Sequence, residues 1–338
     1  MSMLCSNHQP ELGVMLHLTP EMHQTPTETY KTYTELLPKL EALGFKNAWI
    51  TEHHFNEKSL TPSPLTLIGH FLAHTETLKV GASALLIGFH NPLEISEQIA
   101  VLQSLYPNRL LLGFAKGGPF EAQNAAFQAD KDLSRARMNE ALPAMMKLWN
   151  SKKPISHKGE HYQWQQIDLQ PKVKLNSGQL FVATAEETTV NMAAQNRMGL
   201  MSAQFWGLDK IQQQIRLYKK HSPLPPSLMV ARGLFIDDNS AVARQLALEH
   251  IVQFREEKAK LWGKEPGPMA KLTPEELLPM MLCGTPEEVR QKTLALIDLG
   301  VKHLALNPLT QNHQHRYEQL KRFQHDVWQP LMHQFYAA

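Results

Sequence analysis

Short apolar runs alternate with amphipathic stretches over most of the chain. The apolar runs are strand-length and show little polar alternation, which is typical of strands buried on both faces. Between them, apolar residues recur at helical spacing, as in 27–43, where Gly44 stands at the position of a helix C-terminus. The pattern predicts eight strands, at 12–18, 45–51, 78–87, 109–114, 180–183, 200–205, 228–236 and 301–306.

The order of these segments predicts the fold class. Strands that alternate with helices indicate an α/β protein with a parallel sheet, and eight such units indicate a (β/α)8 TIM barrel. A doubly wound open sheet is the alternative, and it is disfavoured because no G-x-G-x-x-G follows the first strand. We expect one domain over 1–338 with an insertion around 118–178. The glycines and prolines of 263–268 predict a mobile loop around 263–283.

Composition limits the function classes. Of the 338 residues 43% are hydrophobic and 20% are charged, so the chain can bury a large core and is not disordered. The net charge of +2 gives no reason to expect binding to nucleic acid or to a membrane surface. Two cysteines, Cys5 and Cys283, are too few for a disulfide scaffold or a multi-cysteine zinc site. The first ten residues are polar and no apolar run approaches ~18 residues, so we expect a cytoplasmic protein.

Polar residues at strand ends are the candidate chemistry, because catalytic groups of a barrel lie at the carboxyl ends of its strands. The second predicted strand runs into Glu52, His53 and His54. A carboxylate beside two imidazoles at a strand end is costly unless it serves a site, and a hydrogen-bonded rim cluster is the alternative. A metal site is disfavoured, since adjacent residues of an extended strand point to opposite faces. We therefore expect no metal, and a metal-dependent barrel hydrolase is the last alternative.

Two further strand ends suit an anionic group. Residues 113–118 place glycines on both sides of Lys116 after the fourth strand, and residues 184–189 open a helix after the fifth. A lysine supplies a point charge and a helix N-terminus supplies N–H groups, although Thr184 could equally be an ordinary cap. Together the two strand ends predict one phosphate held between them. Residues 81–84 are small and would admit a flat ligand, or else serve tight packing.

The same residues resemble a known family. The segment 48–55, with Trp49, Glu52, His53, His54 and Phe55, resembles the W-x-x-E-H-H-F segment of the bacterial luciferase-like flavin monooxygenases. Five further segments resemble that family in the same order, so that the resemblance covers nearly the whole chain. They are the third strand at 78–84 followed by Asn91-Pro92, the arginine–glycine segment at 109–117, the S-R-A-x-M helix start at 134–138, the phosphate strand at 182–185 and the G-T-P-E-E-V helix at 284–289.

The resemblance implies a barrel that binds reduced FMN at its mouth and uses O2 to oxygenate a small organic substrate through a flavin C4a-hydroperoxide. It also implies a separate NAD(P)H:flavin reductase as the source of FMNH2, and a homodimer. His53 matches the imidazole nearest the reaction centre, an acid–base candidate, and Glu52 is expected to orient the histidine pair. Ser83 and Ala84 match a small pair, often joined by a cis peptide, beneath the flavin ring. The implied phosphate holders are Lys116, Thr184, Ala185 and Thr188.

The sequence also departs from the family pattern. Ala115 stands where the luciferase α chain has a reactive cysteine. Lys116 stands where the family has an arginine, and a lysine cannot make the paired hydrogen bonds to phosphate that a guanidinium makes. Thr184-Ala185 replaces an acid–serine pair, and Arg135 is expected to pack the insertion. These departures argue against light emission from a long-chain aldehyde, and the substrate class does not carry over. Two alternatives keep the fold: a hydride-transfer enzyme that uses the deazaflavin F420, and a flavin-binding protein without turnover.

Overall fold

Parallel strands form a closed barrel. The computed structural model describes residues 9–118, 120–261 and 271–337. The strands in these ranges are β1 Glu11–Leu16, β2 Asn47–Ile50, β3 Lys79–Leu86, β4 Leu110–Ala115, β5 Ile155–Lys158, β6 Gln163–Ile167, β7 Leu180–Ala183, β8 Gly199–Ser202, β9 Leu228–Ile236, β10 Leu282–Gly284 and β11 Val301–Pro308. The ring runs β1-β2-β3-β4-β7-β8-β9-β11, and β11 pairs with β1.

The strand register closes the ring and decides the topology. Val14 lies opposite Leu306 and Leu200 lies opposite Leu228, so no strand of the ring has a free edge. Closure excludes the open-sheet alternative and confirms the predicted (β/α)8 barrel. β10 pairs in parallel with the end of β9 outside the ring. The sequence pattern did not predict β10, because a three-residue strand is too short to show a period.

The helices begin at residues that the sequence marks well. Thr25 and Thr285 each cap a helix, and each hydroxyl accepts a hydrogen bond from the N–H of a glutamate three residues on. Gly44 ends the first helix with a φ of 95°, a conformation that glycine adopts without strain. The helices are α1 Pro26–Ala42, α2 Pro64–Ala73, α3 Pro92–Leu105, α4 Glu121–Ala126, α5 Ser134–Asn150, α6 Glu187–Gln195, α7 Leu208–Lys219, α8 Ser240–Leu261, α9 Pro274–Leu277, α10 Pro286–Asp298, α11 His313–Arg322 and α12 Gln329–Ala337.

Two segments differ from a simple alternation of strand and helix. The predicted insertion at 118–178 contains α4, α5 and the antiparallel β5–β6 hairpin. Of the predicted loop around 263–283, residues 263–270 lie outside the described residues, and α9 and β10 occupy much of the remainder. The sequence pattern missed α4 and α9, because six and four residues give little helical periodicity.

Side chains that fill the ring support the mouth from below. Trp49 lies edge-on to Phe181 with ring centroids 5.4 Å apart, and its Nε1 donates to Asn47 at 2.6 Å. A larger apolar layer separates the strands from the helices. Residues at the strand ends therefore stand on a packed, rigid floor. The floor consists of Met15, Trp49, Ala84, Leu111, Phe181, Met201, Met229, Ala231 and Ala305.

A polar network lies at the opposite, amino-terminal end of the barrel. Glu11 pairs with Lys79 at 3.0 Å and with His303 at 3.4 Å, and Asn47 donates to the same carboxylate at 3.3 Å. Burial raises the pKa of Glu11, but the interactions with His303 and Lys79 outweigh it and lower the pKa to about 2. At this end of a barrel, such a network contributes to stability and not to catalysis.

Candidate active site

The predicted site residues lie at the carboxyl ends of four strands that are consecutive in the ring, β2, β3, β4 and β7. Strand ends of neighbouring parallel strands meet at one edge, so the structure brings these residues to one side of the mouth. Imidazoles stand at one end of this arc and cations at the other. The residues in ring order are Glu52 and His53, then Ser83 and Ala84, then Lys116, then Thr184, Ala185 and Thr188.

A serine from the loop after β2 holds His53. Nδ1 of His53 lies 2.7 Å from Ser59 Oγ, and Ser59 Oγ donates its single hydrogen to the His17 carbonyl at 2.9 Å. Ser59 Oγ also lies 3.1 Å from the hydroxyl of Thr61, so a chain of hydroxyls anchors the Nδ1 side of the His53 ring. The His17 ring stacks on His53, with centroids 5.5 Å apart and planes 23° from parallel. His17 is not among the residues predicted from the sequence, although its place directly after β1 could have indicated it.

Glu52 binds a different pair of imidazoles from the expected one. Its Oε1 accepts from His54 at 2.8 Å and from His90 at 2.7 Å, and its Oε2 accepts the N–H of Leu86 at 2.8 Å. The expectation that Glu52 orients both neighbouring histidines is therefore corrected, since its hydrogen bond goes to His54 and Ser59 holds His53. His90 follows a turn after β3, and only the folded chain brings it to Glu52.

The Glu52 cluster is charged in spite of its burial. Glu52 is 3% exposed, and burial raises its pKa, but the hydrogen bonds from His54 and His90 more than reverse this and lower it. For His90, burial lowers the pKa, and the bond to Glu52 outweighs it and raises the pKa. An ionised carboxylate between two imidazoles anchors the loop after β2 to the loop after β3.

The insertion covers this cluster. The ring of Phe127, which follows α4, lies 4.5 Å from the ring of His54 and stacks on Phe89 at 4.8 Å. Gln123 of α4 donates to the His54 carbonyl at 3.0 Å. α4 therefore fixes the loop that carries His53 and helps to keep water from Glu52.

Ser83 and Ala84 form the middle of the arc. Their peptide bond is cis, as the resemblance implies. The pairing of β3 with β4 shifts register between Ala82 and Leu85, so these two residues interrupt the regular ladder. Ala84 is 9% exposed and belongs to the floor of the ring. Two small side chains at this position let a flat ring lie against the backbone.

Lys116 lies in a cluster of positive charges. Burial lowers its pKa first, and the charges of Arg135 and Lys131 lower it further, against an opposite effect of Asp132. Cations that repel each other in this way form a favourable place for a dianion such as a phosphate monoester. Arg135, at the start of α5, was expected only to pack the insertion. The structure adds it to the candidate phosphate residues.

The turn between β7 and α6 offers fewer phosphate donors than expected. Thr184 is buried, its hydroxyl accepts the N–H of Glu186 at 3.1 Å, and its carbonyl accepts from Gln214 at 2.7 Å. Thr184 is therefore not the cap of α6, since the N-cap is Glu186 and no side chain caps it, and its hydroxyl instead closes a turn just before the helix. Ala185 and Thr188 are exposed at the start of α6 and stay candidate donors.

Carboxylates at the start of α6 change its electrostatics. Glu186 and Glu187 would repel a phosphate, but Arg135 lies 4.0 Å from the first and Lys220 lies 3.2 Å from the second. The positive potential for an anion therefore comes mainly from Lys116 and Arg135. The backbone N–H groups of α6 contribute less than a bare helix N-terminus would.

A cavity of about 310 Å³ opens beside the stacked imidazoles. It lies between the ends of β1, β2 and β11 and one face of α8. Its volume is at the lower end of the range for small-molecule sites. The sequence pattern gave no sign that α8 and α11 contribute to it, because they follow distant strands. Residues of its wall include His17, His53, Ser59, Phe254, Asn307 and Arg316.

The described parts of the chain also provide evidence on metal binding and on membrane-spanning helices. Within 9–118, 120–261 and 271–337, no three His, Cys, Asp or Glu side chains group closely enough to hold a metal ion. His54 and His90 both direct Nε2 at Glu52, so their Nε2 atoms are occupied. No helix in the same ranges is long and apolar enough to cross a membrane.

The family follows from comparison with known sequences. The sequence model of the luciferase-like monooxygenases matches residues 11–303, so the chain belongs to this family. The alkanal monooxygenase alpha chain of the Kryptophanaron alfredi symbiont is 24% identical over 208 residues, which are 61% of this chain and 57% of that one. The oxygenase component of the flavin-dependent trigonelline monooxygenase of Acinetobacter baylyi is 25% identical over 175 residues, 51% of this chain and 48% of that one. The chain spans only 28%, 58% and 48% of the length of three other curated relatives.

Solved structures of the same fold agree over almost the whole chain. Monooxygenase RslO1 from Streptomyces bottropensis has a TM-score of 0.82 at 19% identity, covering 95% of this chain and 99% of that one. The oxygenating constituent of 3,6-diketocamphane monooxygenase from Pseudomonas putida, in complex with FMN, has a TM-score of 0.74 at 17% identity, covering 94% and 98%. An F420-dependent secondary alcohol dehydrogenase has a TM-score of 0.73 at 16% identity, covering 93% and 98%. At these identities the likeness shows the fold alone.

Proposed function

We propose that the chain is the oxygenase component of a two-component FMN-dependent monooxygenase. It takes FMNH2 from a separate NAD(P)H:flavin reductase and uses O2 to oxygenate a small organic substrate. The observation that carries the proposal is the order of groups along the mouth: cations at Lys116 and Arg135, small residues at Ser83 and Ala84, and an imidazole at His53. That order suits a ligand with a dianion at one end and a flat reactive ring at the other.

The residues of the mouth fit FMN. Lys116 and Arg135 supply charge for its phosphate, and Ala185 and Thr188 can add a backbone N–H and a hydroxyl. The small side chains at the end of β3 accommodate the ring. Bound FMNH2 supplies two electrons, so that one atom of O2 passes to the substrate and the other leaves as water. The FMN complex of the 3,6-diketocamphane enzyme and the flavin dependence of the trigonelline enzyme support this choice of cofactor.

His53 moves the proton that this chemistry requires. Its Nδ1 is committed to Ser59, so Nε2 accepts a proton from the reacting group and returns it. Glu52 acts on His53 indirectly, because it holds His54 and therefore the loop that carries His53. Phe127 and the buried Glu52 cluster keep water from this side of the mouth, which would favour oxygen transfer to the substrate over unproductive release of H2O2.

The family resemblance also implies a cytoplasmic homodimer, which we include in the proposal. Light scattering of the purified protein tests the assembly, with a mass of twice 38.5 kDa expected. A mass of one chain at micromolar concentration would contradict it.

Anaerobic titration tests the cofactor assignment. We expect FMNH2 to bind at least about tenfold more tightly than reduced riboflavin, because only FMNH2 carries the phosphate that the cations face. Reduced F420 in a parallel titration should bind more weakly than FMNH2. Tighter binding of F420 would favour the hydride-transfer alternative. Binding of FMNH2 with O2 consumption no faster than that of free FMNH2 would favour a flavin-binding protein without turnover.

A further inference from the structure

The cavity beside His17 and His53 changes in character from its rim to its deep end. Glu57 and Lys58 line the rim, where both are exposed and their opposite charges offset each other. The deep end is formed by Arg316 of α11, which is only 4% exposed. A ligand that enters past the rim therefore meets a buried guanidinium.

The charge of Arg316 is not neutralised within the described part of the chain. There its guanidinium hydrogen-bonds only to the Thr310 carbonyl, through Nη2 at 2.7 Å, and no carboxylate of the described residues forms an ion pair with it. Its Nε is buried without a hydrogen-bond partner among the same residues. A buried cation without a counter-charge is costly unless a ligand supplies one. Arg316 therefore indicates an anionic ligand.

The cavity also contains two ionisable groups of α8, His250 and Glu257. Burial, and then the positive charge of Arg316, lower the pKa of His250 on α8 to about 4, so that His250 is neutral at pH 7. Glu257, one turn beyond Phe254 on the same helix, is half-buried and binds Gln253 at 3.3 Å. His17 and His53 face the cavity from the strand ends.

The wall opposite the strand ends is apolar and aromatic. Phe254 packs against Phe205 with ring centroids 5.6 Å apart and lies nearly parallel to the ring of His250. Pro308 at the end of β11 faces the same space. These surfaces suit the flat body of an aromatic or heteroaromatic molecule.

We propose that this cavity is the substrate site, and that the substrate is a small aromatic carboxylate whose carboxylate binds Arg316 and whose ring lies along Phe254. This proposal rests on the proposed function. The ring of the substrate then lies beside His53, because His53 and Phe254 line the same cavity. Arg316 is then a residue that determines specificity and positions the substrate, and not one that reacts.

Isothermal titration with benzoate and its neutral isostere benzamide tests the proposal on the wild-type chain. We expect benzoate to bind at least about tenfold more tightly than benzamide, since a charged hydrogen bond is lost with the amide. Arg316→Gln should weaken benzoate binding by about 10- to 100-fold and leave benzamide binding unchanged. Lys321→Gln, an exposed cation on the same helix, is the matched control and should bind benzoate like the wild type.

Because Arg316 is buried, its replacement can disturb the fold, and a second variant at a less buried position is therefore needed. Phe254→Ala, on the partly exposed aromatic wall, should weaken benzoate and benzamide alike. Equal affinities for benzoate and benzamide, or no benzoate binding at millimolar concentration, would overturn the carboxylate proposal. FMNH2 titration of the same samples separates the two proposals. FMNH2 binding without benzoate binding overturns only this inference, and failure of FMNH2 to bind overturns the proposed function.

Discussion

At the residue scale, a hydroxyl and not a carboxylate holds the ring of His53. Ser59 Oγ lies 2.7 Å from Nδ1 of His53 and donates to the His17 carbonyl at 2.9 Å. The sequence places Glu52 and His53 directly after a predicted strand, and both stay candidate site residues. It could not show their partners, because Ser59, His90 and His17 reach them only through the fold.

Replacement of His53 by glutamine tests its role in proton transfer. We expect substrate oxygenation to slow by about 10²- to 10⁴-fold, as is typical of a lost general acid–base group. FMNH2 affinity should change little, because the phosphate end of the mouth is untouched. Reductase-coupled turnover and anaerobic titration measure the two quantities. His221→Gln, an exposed histidine between α7 and β9, is the control and should behave like the wild type. Equal loss of binding and turnover would contradict the assignment.

Replacement of Lys116 by glutamine tests the phosphate end. Loss of one charged contact should weaken FMNH2 binding by about 10- to 100-fold and leave reduced riboflavin, which has no phosphate, unaffected. Fluorescence titration under anaerobic conditions gives both constants. Lys219→Gln on the exposed face of α7 serves as the matched control. A similar loss of affinity for both flavins would show that Lys116 acts on the fold and not on the phosphate.

At the element scale, periodicity predicted the eight ring strands because each is a buried run between clear helix signals. It missed α4, α9 and β10, which are short, and it could not assign α8 and α11 to a cavity. Arg316 and His250 lie on helices whose sequences show no local sign of a ligand. Their convergence with His53 follows from ring closure between β11 and β1, which no single segment encodes.

The start of α10 offers a test at this scale. Thr285 caps the helix by accepting the N–H of Glu288, and Glu288 accepts the N–H of Thr285 in return. Thr285→Ala should lower the free energy of unfolding by about 1 kcal/mol, because one N–H loses its partner. Urea unfolding measures the change. Thr285→Ser keeps the oxygen and should restore most of the loss, and a loss as large as that of alanine would contradict the capping role.

At the scale of the whole molecule, the two ends of the barrel have different roles. The carboxyl ends of the strands carry the candidate site, and the amino ends carry the network of Glu11, His303 and Lys79. The sequence identified the barrel from its count of strands and the mouth from its strand ends. It did not identify the network at the opposite end, because its members come from the first, third and last ring strands.

The network predicts how stability depends on pH. The pKa of Glu11 is about 2 in the folded chain against an ordinary 4.5, so its contribution is complete above pH ~4.5 and is lost as the pH falls toward ~2. That difference corresponds to about 3 kcal/mol. Urea unfolding of the wild type and of Glu11→Gln should differ most near neutral pH and converge in acid. A constant difference across this range would contradict the assignment.

Rapid mixing of the FMNH2-loaded protein with O2, followed by absorbance, tests whether the chain is an oxygenase. We expect a transient species between FMNH2 and oxidised FMN, since the mouth excludes water and supplies a proton acceptor at His53. Direct conversion of bound FMNH2 to oxidised FMN at the rate of free flavin would contradict the assignment of this chain as an oxygenase.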